Sequence, residues 1–357
     1  MAFFKKIFGD SNKTKTPKGF HLLTVDSTAK IGGETVKVTF SIPEELKSIF
    51  NFTPGQYINF SITLNGKEHR RSYSICSGPD EMLSVAIKKV KDGVISAWFN
   101  NEVTSEMKIL ATKPEGNFIL PGDTDKIVAI AAGSGITPVL SILKSIEKNQ
   151  GTAALFYGNR SENEILFKSE IDELSSTKST YFLSREEKEG FISGRISKES
   201  FTTLIKANLE ILKSDVFFIC GPEKMIRDIS ETLELFGVAK DKIKFELFTT
   251  PVLTKSDGHT EDTNFLGKSK ISILVDGTST TFDLDSKKVI LDKAIDEDID
   301  MPYSCKGGVC SSCKGKVLKG DVYMKMNYTL TDKEVEEGYI LACQSFPRSE
   351  EIVITYD

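Results

Sequence analysis

Histidine is scarce in this chain: three among 357 residues, at positions 21, 69 and 259. Chemistry that leans on an imidazole general base has little to draw on, and no pair of residues suggests a catalytic dyad. The three histidines are read as structural or solvated. Positive charge is not in excess either. Lys and Arg number 46 against 51 Asp and Glu, a formal charge of −5, which argues against nucleic acid as the main partner. No apolar run reaches membrane-spanning length, since the longest candidate, residues 127–143, is interrupted by Gly133, Ser134, Gly135 and Pro138. The opening residues place Lys5 and Lys6 among phenylalanines, without the apolar core and cleavage site of a signal peptide. They are read as a flexible leader, a short amphipathic helix against a membrane or a partner being the competing reading. Cysteine is sparse too, six in all, so a disulfide scaffold is not expected and a reducing compartment is. The expected location is cytoplasmic. What remains is an ordinary globular composition, 39% apolar and 27% charged, with no repeat and enough length for two or three domains.

The few cysteines are not scattered. Four of them, Cys305, Cys310, Cys313 and Cys343, follow C-x4-C-x2-C with a gap of 29 residues before the last. This is the spacing of a plant-type [2Fe-2S] site. Two ferric ions bridged by sulfide need four soft anionic donors; one tight loop supplies three and a distant residue closes the cage. Gly307 and Gly308 let the loop turn sharply around an inorganic core, with backbone N–H groups directed at sulfur. A structural zinc site would instead show two short-spaced pairs.

Upstream, alternation in 36–40, 56–62 and 83–88 predicts short strands. Turn signals at Gly32-Gly33, Pro54-Gly55, Asn65-Gly66 and Gly78-Pro79 separate them, which suggests a small antiparallel barrel over 18–122, after a leader of 1–17. From Asp123 to 249 the pattern changes. Apolar strands at 127–131, 154–157 and 216–220 alternate with helical stretches at 138–147, 164–174 and 222–236. Alternation of this kind makes an α/β domain whose parallel sheet binds a ligand at the C-terminal strand ends. A polar linker is placed at 250–269. The last domain, 270–357, opens with strands at 271–275 and 280–284 around Asp276-Gly277, has a helix at 289–295, and closes with a strand at 352–356.

Two further regions carry chemistry. In the run Arg70-Arg71-Ser72-Tyr73-Ser74, strand alternation puts Arg71 and Tyr73 on one face and Ser74 on the other. Such a set suits FAD: a guanidinium for the pyrophosphate, an aromatic against the flavin, and a small hydroxyl near the reactive ring nitrogen. Gly93 and Ser96 open a predicted helix whose N-terminus holds the same phosphates. A barrel-rim cation with a half-buried tyrosine explains the run equally well. In the α/β domain Gly133-Ser134-Gly135-Ile136-Thr137-Pro138 follows a strand and starts a helix, where backbone and helix dipole favour a pyrophosphate. It departs from G-x-G-x-x-G, and a bare strand–turn–helix is the competing reading. Cys220-Gly221-Pro222 repeats the arrangement; the thiol is read as lining a nicotinamide pocket or as a small buried hydrophobe.

The order R-x-Y-S, G-x-x-S, G-x-G-I-T-P and C-G-P-x-x-M, ending in Glu246-Leu247-Phe248, resembles the ferredoxin–NADP⁺ reductase superfamily. With the cysteine loop fused behind it, the chain is similar to the reductases of multicomponent oxygenases, from about Pro17 to the C-terminus. The resemblance implies a β-barrel FAD domain, an α/β nucleotide domain and a β-grasp ferredoxin domain. It implies that Arg71, Tyr73, Ser74, Gly93 and Ser96 bind FAD, and that Gly133, Gly135, Thr137, Cys220, Gly221 and Pro222 bind the nicotinamide nucleotide. Ser74, Cys220 and Phe248 would then border the reacting rings. Ser184-Arg185 is similar to the pair that NADP-dependent members place on the extra phosphate, with Arg160 and Ser161 in support; Glu186 and Glu187 beside it oppose that reading. NADPH is therefore favoured, NADH remaining the alternative.

The expected sequence is NADPH to FAD to the [2Fe-2S] cluster to oxygenase or epoxidase subunits, the cofactors carrying the hard chemistry. Two other readings compete. One is an NAD(P)H oxidoreductase feeding a hybrid-cluster protein or a ring-hydroxylating oxygenase; the other is a non-enzymatic iron–sulfur binding module. The acidic run from Asp292 to Asp300 is either a docking face for a basic partner or a solvated helix end.

Overall fold

The structure is a computed structural model that describes residues 16–248 and 265–357. The leader up to residue 15 and the linker from 249 to 264, including His259, lie outside the described residues. The described chain divides into two compact units, one of residues 21–62 and 73–248, the other of residues 16–20, 63–72 and 265–357.

The first sheet is built from β1 (Phe20–Lys30), β2 (Thr35–Ser41), β3 (Tyr57–Leu64), β4 (Lys67–Ser74), β5 (Ser84–Lys88) and β6 (Lys108–Thr112), in the order β4-β3-β6-β1-β2-β5. Its resolved pairings are antiparallel. The β3–β4 turn is Asn65-Gly66, both with positive φ, 52° and 77°, the pair that a two-residue hairpin turn demands. Helix α1 (Val94–Asn101) follows β5. Asn100 ties it down, its Nδ2 donating to Ile87 O and Ser96 O at 2.9 Å each.

The second sheet is parallel throughout: β7 (Lys126–Ala132), β8 (Thr152–Asn159), β9 (Thr177–Leu183), β10 (Ile192–Ser193), β11 (Val216–Cys220) and β12 (Ile243–Glu246), in the order β10-β9-β8-β7-β11-β12. Helices α2 (Ile136–Lys148), α3 (Lys168–Asp172), α4 (Lys198–Ala207) and α5 (Glu223–Leu235) connect the strands. Strand β7 is buried along almost its whole length, as a strand covered on both faces must be. From β7 the chain first moves toward β8 and later returns to β11 on the other side. That reversal makes the C-terminal ends of β7 and β11 the switch point where open α/β sheets bind ligands.

The helix expected over 164–174 is corrected. A 3-10 turn at Glu162–Glu164 leads to extended Ile165 and left-handed Phe167, and only Lys168–Asp172 is α-helical. The reason is packing: Ile165, Leu166 and Phe167 are all buried, and three consecutive apolar side chains cannot lie on one helix face. Helix α4 and strand β12 were not anticipated. The former starts at a reciprocal cap, Ser200 N donating to Ser197 Oγ at 3.3 Å and Ser197 N to Ser200 Oγ at 2.9 Å, worth about 1 kcal/mol.

The C-terminal domain begins with β13 (Lys268–Val275), so its first strand starts inside the span expected to be linker. It pairs with β14 (Thr278–Asp285) across Asp276-Gly277, both again at positive φ. Helix α6 (Ile290–Asp296), β15 (Lys314–Lys319), β16 (Val322–Met324), α7 (Asp332–Glu336), β17 (Tyr339–Leu341), β18 (Ser345–Pro347) and β19 (Glu351–Thr355) complete it. The five-stranded sheet runs β14-β13-β19-β15-β17, with β13 and β19 parallel. No helix among the described residues is long and apolar enough to cross a membrane.

Candidate functional site

The cysteine loop connects α6 to β15, and Cys343 lies in a 3-10 turn between β17 and β18. Cys310, Cys313 and Cys343 are buried and Cys305 half-buried. Lys306 and Gly308 have positive φ, 54° and 72°, which curls the chain so that Gly307 N–H donates to Cys305 Sγ at 3.3 Å. Gln344 Nε2 holds the loop from below through Lys306 O at 3.1 Å. The thiols reach one another: Cys305 is drawn far down by hydrogen bonds from Cys310 and Cys343, while Cys343 is pushed up by Cys305 and Cys313. No group of three or more His, Cys, Asp or Glu among the described residues is arranged for a single metal ion. The donor set itself, four thiols with an N–H at sulfur, fits a sulfide-bridged diiron cluster. In the acidic run Asp292 accepts from Lys306 Nζ at 3.1 Å and Glu297 pairs with Lys293, so part of that charge is already neutralised within the domain.

On β4, Arg70 and Ser74 are buried, Arg71 is exposed and Tyr73 half-buried. Arg71 Nη1 donates to Arg70 O at 2.7 Å. Tyr73 packs edge-on to Phe99 and tilted to Phe60, with centroids 5.6 and 6.0 Å away. At the start of α1 the Ser96 hydroxyl closes the preceding loop, accepting from Val90 N at 3.0 Å and donating to Gly93 O at 3.1 Å. A Cβ on Gly93 would stand 2.6 Å from that hydroxyl. Gly93 and Ser96 thus shape the turn that leads into α1.

At the switch point the glycines have different reasons. A Cβ on Gly135 would collide with the Cys220 carbonyl, and one on Gly221 would stand 2.6 Å from Met225 Cε. These two glycines let the turns after β7 and β11 press together. Gly133 meets nothing within 4 Å but has a φ of 54°, so its requirement is conformational and its face is open. Thr137 Oγ1 donates to Ser134 O at 3.0 Å, securing the turn from inside. Tyr157, buried on β8, donates its hydroxyl proton to Gly133 O at 2.9 Å and accepts from Leu166 N at 3.3 Å. Tyr157→Phe leaves both backbone groups unpaired, a cost of about 1–3 kcal/mol. It is expected to raise KM for the nicotinamide nucleotide severalfold with flavin content unchanged; steady-state kinetics with the flavin content checked by absorbance tests this.

Cys220 is fully buried, its thiol pushed up by burial and by Glu246, so it stays a neutral thiol. Phe248 is 41% exposed after the edge strand β12. Ser184 and Arg185 continue the β8–β9 register, Ser184 N donating to Asn159 O at 3.0 Å and Arg185 N to Arg160 O at 2.8 Å. The two arginines are thereby neighbours at the sheet's C-terminal edge, both exposed. The opposing carboxylate of Glu186 is turned away, accepting from Glu162 N at 2.8 Å.

One residue given no role from sequence stands out. Glu246 ends β12, paired in register with Cys220, and its Oε2 accepts from Ser74 Oγ at 3.1 Å. Burial pushes its carboxyl up to about 8, against the lowering effect of the Ser74 hydrogen bond. Only its adjacency to Leu247-Phe248 hinted at it; the partner lies far away in sequence.

Three family models match the chain in order: an oxidoreductase FAD-binding domain over residues 22–119, an oxidoreductase NAD-binding domain over 129–231, and a 2Fe-2S iron-sulfur cluster binding domain over 273–348. A 1,2-phenylacetyl-CoA epoxidase component from Escherichia coli is 33% identical, the alignment covering 95% of this chain and 98% of that one. The chain belongs to the ferredoxin reductase superfamily, in the branch with a fused [2Fe-2S] domain. This reductase is therefore an NAD(P)H-dependent oxidoreductase built of an antiparallel FAD barrel, a parallel-sheet nucleotide domain and a C-terminal ferredoxin domain. The ferredoxin reductase component of 3-ketosteroid-9-alpha-monooxygenase from Mycolicibacterium smegmatis is 29% identical to the reductase, over 96% of this chain and 99% of that one. The structure of phthalate dioxygenase reductase shares the fold with a TM-score of 0.61 and 22% identity, over 94% of this chain and 98% of that one.

Proposed function

We propose that this reductase carries electrons from NADPH to an oxygenase, the phenylacetyl-CoA epoxidase being the favoured acceptor. The full-length likeness to the Escherichia coli component of that enzyme carries the reading. Arg71, Tyr73, Ser74, Gly93 and Ser96 would hold FAD. Gly133, Gly135, Thr137, Gly221 and Pro222 would hold the nucleotide, with Cys220 flooring the nicotinamide side and Phe248 yielding to it. Cys305, Cys310, Cys313 and Cys343 would hold the cluster. When bound, FAD accepts electrons as a pair and the cluster relays them singly.

The chain's own part is placement and proton handling. The turns that open α1 and α2 would receive the phosphates at their helix N-termini. The Ser74–Glu246 pair faces the remaining balance problem: a hydride split into two outgoing electrons leaves one proton over. Glu246, with its carboxyl near 8, is matched to take that proton through Ser74 close to operating pH.

NADPH is favoured by the exposed Arg185 beside Arg160 in sheet register, with the Glu186 carboxylate accepting from Glu162 N; Arg160 itself lies 3.9 Å from Glu164 Oε2. A hydrogen bond to a charged group is worth about 1.5–3 kcal/mol. Arg185→Ala is therefore expected to raise KM for NADPH about tenfold or more and to leave KM for NADH nearly unchanged. Equal effects on the two coenzymes would remove the assignment. The acceptor is tested by reconstitution: the purified reductase with the epoxidase oxygenase components should support NADPH-dependent substrate turnover, and no turnover alongside normal dye reduction would exclude that partner.

A further inference from the structure

Tyr356 follows β19, its backbone N–H donating to Leu274 O at 2.9 Å. Its ring lies against Gly315, where an added Cβ would stand 2.8 Å from Tyr356 Cζ. Gly315 is two residues past Cys313, so ring and loop are held in fixed relation. The ring packs on the core cluster that contains Cys313 and Cys343. The hydroxyl is buried and has no hydrogen-bond partner among the described residues. A buried hydroxyl without a partner is destabilising, and a chain rarely sustains one without a use for the group.

We propose that the Tyr356 hydroxyl is a hydrogen-bond donor to sulfur at the Cys313–Cys343 side of the cluster and sets its reduction potential. The inference rests on the reading of those cysteines as ligands. The physical sense is unambiguous. Reduction adds negative charge to the sulfurs, and a donor aimed at them stabilises the reduced form more than the oxidised one, raising the potential. Backbone donors such as Gly307 N–H act on the Cys305 side; Tyr356 supplies a side-chain donor on the other.

The test is Tyr356→Phe in the full-length holoprotein, followed by a redox titration monitored by electron paramagnetic resonance of the reduced cluster. The variant is expected to shift the electron-sharing equilibrium between flavin and cluster about tenfold away from the cluster, ~59 mV for a one-electron couple. The rate of flavin reduction by NADPH should not change. Electron–nuclear double resonance of the wild-type protein exchanged into heavy water supplies a second readout: an exchangeable proton coupled to the cluster that the variant lacks. Tyr339→Phe, in which the altered ring is stacked by Lys314 and Lys316, serves as the control with unchanged potential. A Tyr356→Phe potential equal to wild type, or the same proton couplings in both proteins, overturns the proposal. A wild-type protein that holds no cluster would instead remove the ligand reading beneath it.

Discussion

Cys313→Ser is expected to abolish electron delivery to one-electron acceptors while leaving dye reduction by NADPH intact. Cys313 is 1% exposed, sits at the end of the tight loop, and its carbonyl accepts from Ala342 N at 3.1 Å, which ties the loop to the turn bearing Cys343. Changes that only weaken the support of a metal ligand already cost about 10–100-fold, so loss of Cys313, a proposed cluster ligand, is expected to cost more than about 100-fold. The FAD and nucleotide domains fold around a separate core, so flavin content and ferricyanide reduction should remain. The ferredoxin domain should lose stability as well, because cluster binding contributes to its folding. Cytochrome c reduction, iron content and thermal melting of the variant measure the three effects.

Glu246→Gln carries the second large effect. Positioned proton transfer contributes about 10²–10⁴-fold, so reoxidation of the reduced flavin by the cluster is expected to slow by about 10²-fold. In the wild type that step should accelerate as pH rises through about 8, because only the ionised carboxylate accepts the proton; the variant should show no such rise. Stability follows the same group. Its folded pKa lies above the ordinary 4.5, so the unfolded chain releases the proton first and stability falls as pH climbs from about 4.5 to 8. A shift of this size is worth on the order of a few kcal/mol. The Tm advantage of Glu246→Gln over wild type should therefore be larger at pH 8 than at pH 5. Stopped-flow spectroscopy and melting curves across that range check both signs.

What could be read in advance had local causes. The cysteine loop was legible because its spacing is a coordination geometry written along the chain, and Asp276-Gly277 because two positive φ values admit few residues. Strands 127–131 and 216–220 were legible because burial on both faces makes them continuous apolar runs. What was hidden depended on distant partners. Glu246 acquires its meaning from Ser74, 172 residues away, and Tyr356 from cysteines it does not neighbour in sequence. The glycines at 135 and 221 look like ligand glycines in sequence, yet the contact that requires each is the protein's own chain. The stretch 164–174 has helical composition, but its three consecutive buried apolar residues turn it into a docked loop.

Anaerobic addition of NADPH to the purified reductase, followed by visible absorption and electron paramagnetic resonance, tests the central claim most directly. Bleaching of a yellow chromophore together with the appearance of a reduced [2Fe-2S] signal, one spin per chain at completion, is the predicted result. A colourless protein, or a flavin that bleaches while the iron centre stays oxidised, would contradict the account.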